Sequence, residues 1–206
     1  VSPYRGYAVT RGGGIYKTVD GGANWTAVNN GLGCLDVGFV AFVGVTATAS
    51  TPATNGIGAT ASTDRLMAST RCASNSGVYL STDGGANWTL TSGMPGGVLV
   101  NTVTRFNPAG SGVDFLLAAT YDCVYKSTDN GLTWTLSNGA IAGPQGANVN
   151  GVTWLYHSAL GLTLFATEVG SGLWKSTDNG ASWGTAPVLN KITNSFAGTD
   201  GNGNLF

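Results

Sequence analysis

The sequence predicts an all-β chain: a β-propeller segment of about four blades, each a four-stranded antiparallel sheet. Three observations carry this expectation. An eight-residue phrase of the form [S/T]-x-D-x-G-x-[N/T/S]-W occurs four times, at 18–25, 81–88, 127–134 and 176–183. Each copy sits between short runs that alternate apolar and polar residues, the pattern of a β-hairpin. The aspartates of successive copies stand 63, 46 and 49 residues apart, a period that suits one four-stranded propeller blade.

Each element of the unit has a local reason. Before the phrase run Ile15-Tyr16-Lys17, Val78-Tyr79-Leu80, Val124-Tyr125-Lys126 and Leu173-Trp174-Lys175; after it come Thr26-Ala27-Val28, Thr89-Leu90, Thr135-Leu136 and Gly184-Thr185. These are strands C and D of each unit. The D-G-G or D-N-G core between them supplies a residue of positive φ for a tight turn. Its aspartate is placed to accept hydrogen bonds from the turn's own amides, and the tryptophan is expected to pack back across the turn. Upstream lies strand B, ending in a shared threonine: Tyr7 to Thr10, Leu66 to Thr70, Leu116 to Thr120 and Leu164 to Thr167. Strand A precedes three of these, at Val37 to Val43, Val100 to Phe106 and Val149 to Tyr156, and recurs at Ile192 to Ala197. The expected blade units are 4–30, 35–92, 99–138 and 148–187, with the start of another at 191–206. Residues 46–62, rich in Thr, Ala and Ser, read as a low-complexity surface loop.

The repeated phrase resembles the Asp-box, or BNR, repeat. That repeat is found in sialidases, xyloglucan-degrading enzymes, sortilin-type receptors and photosystem II assembly factors. The resemblance covers nearly the whole chain and implies the propeller fold. It does not select a function, because the box is shared by enzymes and non-enzymes. It does make Asp20, Asp83, Asp129 and Asp178, with Trp25, Trp88, Trp134 and Trp183, structural residues, since in sialidase-like enzymes the boxes lie away from the active site. Four of the ten acidic residues and four of the six tryptophans are thereby assigned.

Composition narrows the partners. Charged residues make up 9% of the chain, glycines number 33 and the net charge is −1. Nucleic-acid binding requires a basic stripe that is missing here, no polybasic patch faces a membrane, and no apolar run has the length of a membrane span. The expected partner is a protein or a glycan, with self-assembly or the remaining blades of a longer chain as further possibilities. The nearly uncharged polar surface, together with the resemblance, points to an extracellular or cell-surface setting. The single histidine, His157, allows neither a Ser-His-Asp triad nor a histidine metal site, so no cofactor or metal is expected. Cys34, Cys72 and Cys123 leave three readings open: a 72–123 bridge, a 34–72 bridge, or buried thiols. Asn24 and Asn87 begin formal glycosylation sequons, but both lie inside a box and are read as structural.

The ends extend the expectation. The chain opens just before a B strand, and Asn204-Leu205-Phe206 matches the opening of another. This reads as part of a larger propeller of six to eight blades, or as blades that assemble with other copies. A closed four-blade ring with a ragged end is the alternative.

Functional residues are sought on the rim opposite the boxes, where the B–C loops lie. The position after the shared threonine reads Arg11, Arg71, Tyr121 and Glu168. Two arginines there would clamp a carboxylate. Tyr121 beside Asp122 resembles the nucleophile and base of a sialidase, and Glu168 joins them as a candidate acid; no third rim arginine accompanies them. Acids outside the boxes are Asp36, Asp64, Asp114, Asp122, Glu168 and Asp200, none of which must meet another as a glycosidase pair would. Trp154 and Tyr156 share a strand face and read as core or channel lining, or as a sugar-stacking platform. The leading expectation is a non-catalytic binding or assembly module. The alternatives are a fragment of a sialidase-like or xyloglucanase-like hydrolase and a photosystem II assembly-factor-like propeller.

Overall fold

A computed structural model describes residues 4–45, 64–72, 74–107, 112–137, 148–157, 159, 161–184 and 188. The chain divides into two compact units, Val1–Leu99 and Val100–Phe206. The fold is that of a β-propeller made of antiparallel blades. In the first unit, β1 (Gly6–Thr10), β2 (Gly14–Thr18) and β3 (Thr26–Ala27) form a three-stranded sheet. A second sheet there runs in the order β4 (Val37–Val45), β5 (Asp64–Thr70), β6 (Gly77–Ser81) and β7 (Thr89–Leu90). The second unit contains β8 (Val100–Phe106), β9 (Phe115–Thr120), β10 (Val124–Ser127) and β11 (Thr135–Leu136), followed by the sheet of β12 (Val149–His157), β13 (Gly161–Glu168) and β14 (Gly172–Ser176). The strands thus follow the expected A to D order, with blade 1 formed by strands B to D. In blade 4 the D strand begins at Gly184, whose amide bonds to the Lys175 carbonyl. The expected loop at 46–62, the strand at 192–197 and the B-strand opening at 204–206 lie outside the described residues.

The four boxes share one hydrogen-bond plan. The Thr18, Ser81, Ser127 and Ser176 hydroxyls donate to Oδ1 of the box aspartate at 2.7–2.8 Å. The same hydroxyls accept from the amides of Gly22, Gly85, Gly131 and Gly180 at 2.8–3.0 Å. Each aspartate Oδ1 also accepts the amide four residues on, at 2.9–3.0 Å. Its Oδ2 accepts the side chain of that residue: Asn24 and Asn87 at 2.8 Å, Thr133 at 2.5 Å, and Ser182. The box therefore requires an asparagine, threonine or serine before its tryptophan, and the sequons at Asn24 and Asn87 are turn residues. The left-handed φ values, 95° at Gly22, 89° at Gly85, 84° at Gly131 and 78° at Gly180, explain the fixed glycine.

The box tryptophans do more than cover their own turns. Trp88 Nε1 donates to the Val28 carbonyl of the preceding blade at 2.8 Å, and Trp183 Nε1 donates to the Ser137 carbonyl at 3.0 Å. Val28 and Ser137 each lie three residues past the tryptophan of their own blade, so the contact repeats in register. Trp25 instead turns back on its own box, donating to the Gly22 carbonyl at 3.1 Å. A second bond runs the other way between blades. Lys17 Nζ donates to the Gly84 carbonyl and Lys126 Nζ to the Asn179 carbonyl, both at 2.7 Å. Each unit builds its core at this junction, around Ile15, Leu66, Tyr79 and Trp88 in the first and Leu117, Leu164, Trp174 and Trp183 in the second.

Candidate functional site

The rim opposite the boxes is made by the B–C hairpins, and in the first unit a crossover ties two of them together. Residues 29–36 run from blade 1 into β4. The Leu35 carbonyl accepts from the Gly12 and Gly14 amides of one hairpin at 3.1 and 2.9 Å, and the Asp36 carbonyl accepts from the Arg71 amide of the other at 2.8 Å. Arg11 forms an isolated antiparallel bridge with Asp36. Cys34 is disulfide-bonded to Cys72, next to Arg71, across a sequence separation of 38 residues. The Gly33 amide donates to the Tyr79 hydroxyl at 3.1 Å, and that hydroxyl donates to the Asn75 carbonyl at 3.0 Å. The 34–72 pairing is thus the one formed, and the 72–123 pairing is not: Cys123 is a free, buried thiol. Burial pushes the Cys123 thiol above its ordinary range, against the hydrogen bonds of Tyr125 and Thr120.

This arrangement brings Arg11 and Arg71 to either side of the Asp36 backbone. Arg71 Nε and Asp36 Oδ1 are buried without a hydrogen-bond partner. The Arg71 side chain lies over Gly38, where a Cβ would come within 2.4 Å of Nε and would push the guanidinium aside. Elsewhere among the described residues, ion pairs hold Arg5 to Asp64 at 3.5 Å and Arg105 to Asp114 at 2.6 Å. Around the first of them, the Tyr7 hydroxyl donates to the Gly84 carbonyl at 2.9 Å and lies 3.4 Å from Asp64 Oδ2. Burial, then the Asp64 charge, raises the Tyr7 pKa, and burial lowers that of Lys17.

In the second unit the rim candidates separate. Tyr121 is 41% exposed and Asp122 is exposed beside it, in a tight turn where the Thr120 hydroxyl accepts the Asp122 and Cys123 amides at 3.2 and 3.0 Å. Glu168 does not share their position. In β13 it is Glu168 that pairs with Gly172, as Thr10 pairs with Gly14 and Thr70 with Gly77. The Val169 amide bonds to the Asn148 carbonyl as the Arg71 amide bonds to Asp36. The residue level with Arg71 is therefore Val169, and Glu168 replaces the shared threonine. Thr167 had marked the wrong register because it stands one residue earlier. Glu168 is only 4% exposed and accepts a hydrogen bond from Trp174 Nε1. Trp174 stands where Tyr16, Tyr79 and Tyr125 stand in the other blades, so the two departures of blade 4 from the repeat bond to each other. Trp154 and Tyr156 are half-buried, paired with Leu164 and Leu162 on β13, and pack against the core of the unit. Among the described residues no group of three or more His, Cys, Asp or Glu could hold a metal ion.

The fold is that of a β-propeller whose blades carry a repeated Asp-box-like turn. The family model of the BNR/Asp-box repeat matches residues 79–90, the second box with its flanking strands. Solved structures with a similar fold include the GH74 xyloglucanase from Xanthomonas campestris, at 20% identity and a TM-score of 0.59, covering 89% of this chain and 28% of that one. An ancestral GH74 enzyme is similar at 17% identity and a TM-score of 0.57, over 87% of this chain and 22% of its own. The GH74 enzyme of Niastella koreensis is similar at 19% identity and 0.55, over 90% and 28%. The chain thus spans less than a third of the length of each of these enzymes. No curated protein sequence matches it.

Proposed function

We propose that this chain is a non-catalytic, extracellular or cell-surface β-propeller module that binds a protein or glycan partner or serves in structural assembly. One observation carries the reading: three of the six carboxylates outside the boxes are already engaged. Asp64 is held by Arg5, Asp114 by Arg105 and Glu168 by Trp174, so these three do not form the facing pair that glycoside hydrolysis uses. The Cys34–Cys72 bridge and the low charge support an oxidising, extracellular setting. Arg11 and Arg71, which make no ion pair among the described residues, are the binding groups assigned to the rim, with an acidic group of the partner as their target.

The second reading is a piece of a glycoside hydrolase, and the fold likeness to GH74 enzymes favours it. One experiment separates the two. The chain is incubated with xyloglucan and with a fluorogenic sialoside, and calorimetry follows the binding of acidic oligosaccharides and peptides. The expected result is no product above the blank, with binding weakened about tenfold by Arg71→Ala, the loss of one charged hydrogen bond. Hydrolysis of either substrate that Glu168→Ala abolishes would overturn the proposal in favour of the enzyme. Binding that Arg11→Ala and Arg71→Ala leave intact would remove the rim assignment.

A further inference from the structure

We infer that the rim of the first unit takes a zwitterionic small molecule, a free α-amino acid, between Arg71 and Asp36. The inference rests on the assignment of Arg11 and Arg71 as binding groups and names the ligand they take. Its ground is a row of three charges that do not neutralise one another. Asp36 is bridged to Arg11 on one side, and its carbonyl accepts the Arg71 amide on the other. Residues facing each other in this way across antiparallel chains have Cβ atoms about 5 Å apart. Either arginine is within reach of the carboxylate, yet the ion pairs among the described residues are Arg5 with Asp64 and Arg105 with Asp114. Asp36 Oδ1 and Arg71 Nε are instead buried without a hydrogen-bond partner. An open buried acceptor beside an open buried donor is a cost that a bound group carrying both complements would offset.

A local device of blade 2 holds Arg71 in this place. Blades 2, 3 and 4 each carry a β-bulge at the rim end of strand A, between Val37 and Phe39, between Val100 and Thr102, and between Val149 and Gly151. The extra residue is Asn101 in blade 3 and Asn150 in blade 4. Asn101 uses its side chain as a tie to blade 4, donating to Asn148 Oδ1 at 2.6 Å and to the Val149 carbonyl at 2.9 Å. Blade 2 has Gly38 there, and the Arg71 guanidinium lies where a side chain would stand. Level with Arg71, the other two blades have Tyr121 and Val169, so blade 2 alone of the three joins a bare bulge to a cation. The charges of the row then select the ligand. A plain anion drawn to the arginines meets the Asp36 carboxylate between them, and a plain cation drawn to Asp36 meets Arg11 and Arg71. A carboxylate and an ammonium on one carbon satisfy both: the first accepts from the arginines, and the second donates to Asp36 Oδ1.

Four probes of similar size test this by amide NMR titration of the chain: alanine, propionate, ethylammonium and lactate. The expected result is that alanine shifts the amides of Asp36, Gly38 and Arg71 and binds about tenfold more tightly than each of the others, which lack the carboxylate or the ammonium. Asp36→Asn is expected to bring alanine down to the level of propionate. Gly38→Asn, which gives blade 2 the bulge residue of blades 3 and 4, is expected to weaken alanine about tenfold, with the sheets intact by circular dichroism. Propionate bound as tightly as alanine would reveal a plain anion site, and lactate bound as tightly would reveal a hydroxy-acid or sugar-acid site. No shift of these amides with any probe would leave the open atoms to water. Each of these three outcomes would overturn the inference, and all three are read on the parent chain, so a variant that fails to fold does not shield it. The rim assignment fails differently, through acidic oligosaccharides or peptides that bind independently of Arg11 and Arg71, so the two failures are distinct.

Discussion

Trp25 and Trp88 hold the same place in the repeat, and alanine at each separates two explanations of the box tryptophan. If the side chain serves its own turn, the two substitutions cost alike. If it serves the neighbouring blade, Trp88 costs more. A tryptophan side chain presents about 200 Å², worth about 25 cal/mol for each Å² removed from water. With Trp88 3% exposed and Trp25 45% exposed, the transfer contributions are about 5 and about 3 kcal/mol. Both are upper values, because the unfolded chain buries some of this surface, but their difference of about 2 kcal/mol is more secure. Trp88→Ala also strands the Val28 carbonyl, adding about 1 kcal/mol. The expected gap is therefore about 2–3 kcal/mol, read as the difference in unfolding free energy from urea titrations followed by far-UV circular dichroism at a concentration where the chain is monomeric. Trp88→Phe is expected to fall between the parent and Trp88→Ala. Equal losses at positions 25 and 88 would refute the idea that these tryptophans fasten blades together.

Two further outcomes follow from the same structure. Reducing the Cys34–Cys72 bridge, or replacing both residues with serine, frees a loop of sequence separation 38 and is expected to cost about 4 kcal/mol; a melting curve unchanged by reductant, with three free thiols mapped, would show that the bridge is absent. Acid is expected to loosen the boxes. Asp20 is held down to about 2 by the Asn24 amide and side chain and by Thr18. For Asp129 burial pushes upward, but the Thr133 and Ser127 hydrogen bonds outweigh it and hold the carboxyl at about 2; Asp83 and Asp178 are lowered by the equivalent bonds. A carboxylate held below its unfolded value of 3.8 stabilises the fold fully above that pH and loses the contribution as pH falls toward 2. The urea midpoint should therefore decline between about pH 4 and pH 2, and less steeply in Asp129→Asn. A decline of equal slope in parent and variant would count against the assignment.

Much of the blade was legible because its signals are local. A box turn needs a left-handed glycine, an aspartate and a short polar side chain within eight residues, and alternation over four or five residues marks each strand. The same locality explains what was misread. A threonine at 167 looks like Thr10, Thr70 and Thr120, and only pairing across the hairpin reveals that Glu168 stands in their register. The Arg5–Asp64 pair joins residues far apart in sequence, and no spacing announces it.

What the sequence determined by itself is the repeat: four turns of one design, the strands around them, and the removal of four aspartates and four tryptophans from the catalytic candidates. Tertiary structure decided what the repeated residues do for one another. It turned Trp88 and Trp183 into donors to the preceding blade, chose Cys34 as the mate of Cys72, brought Arg11 and Arg71 to Asp36, and buried Glu168 against Trp174. The physical reason is the range of the forces involved. Turn hydrogen bonds close within a few residues and leave a pattern in the chain, whereas inter-blade bonds depend on sheet register and on which neighbour covers which face. Trp25 displays the difference most plainly: its box repeats the common phrase, yet its side chain is exposed and donates to the Gly22 carbonyl of its own box.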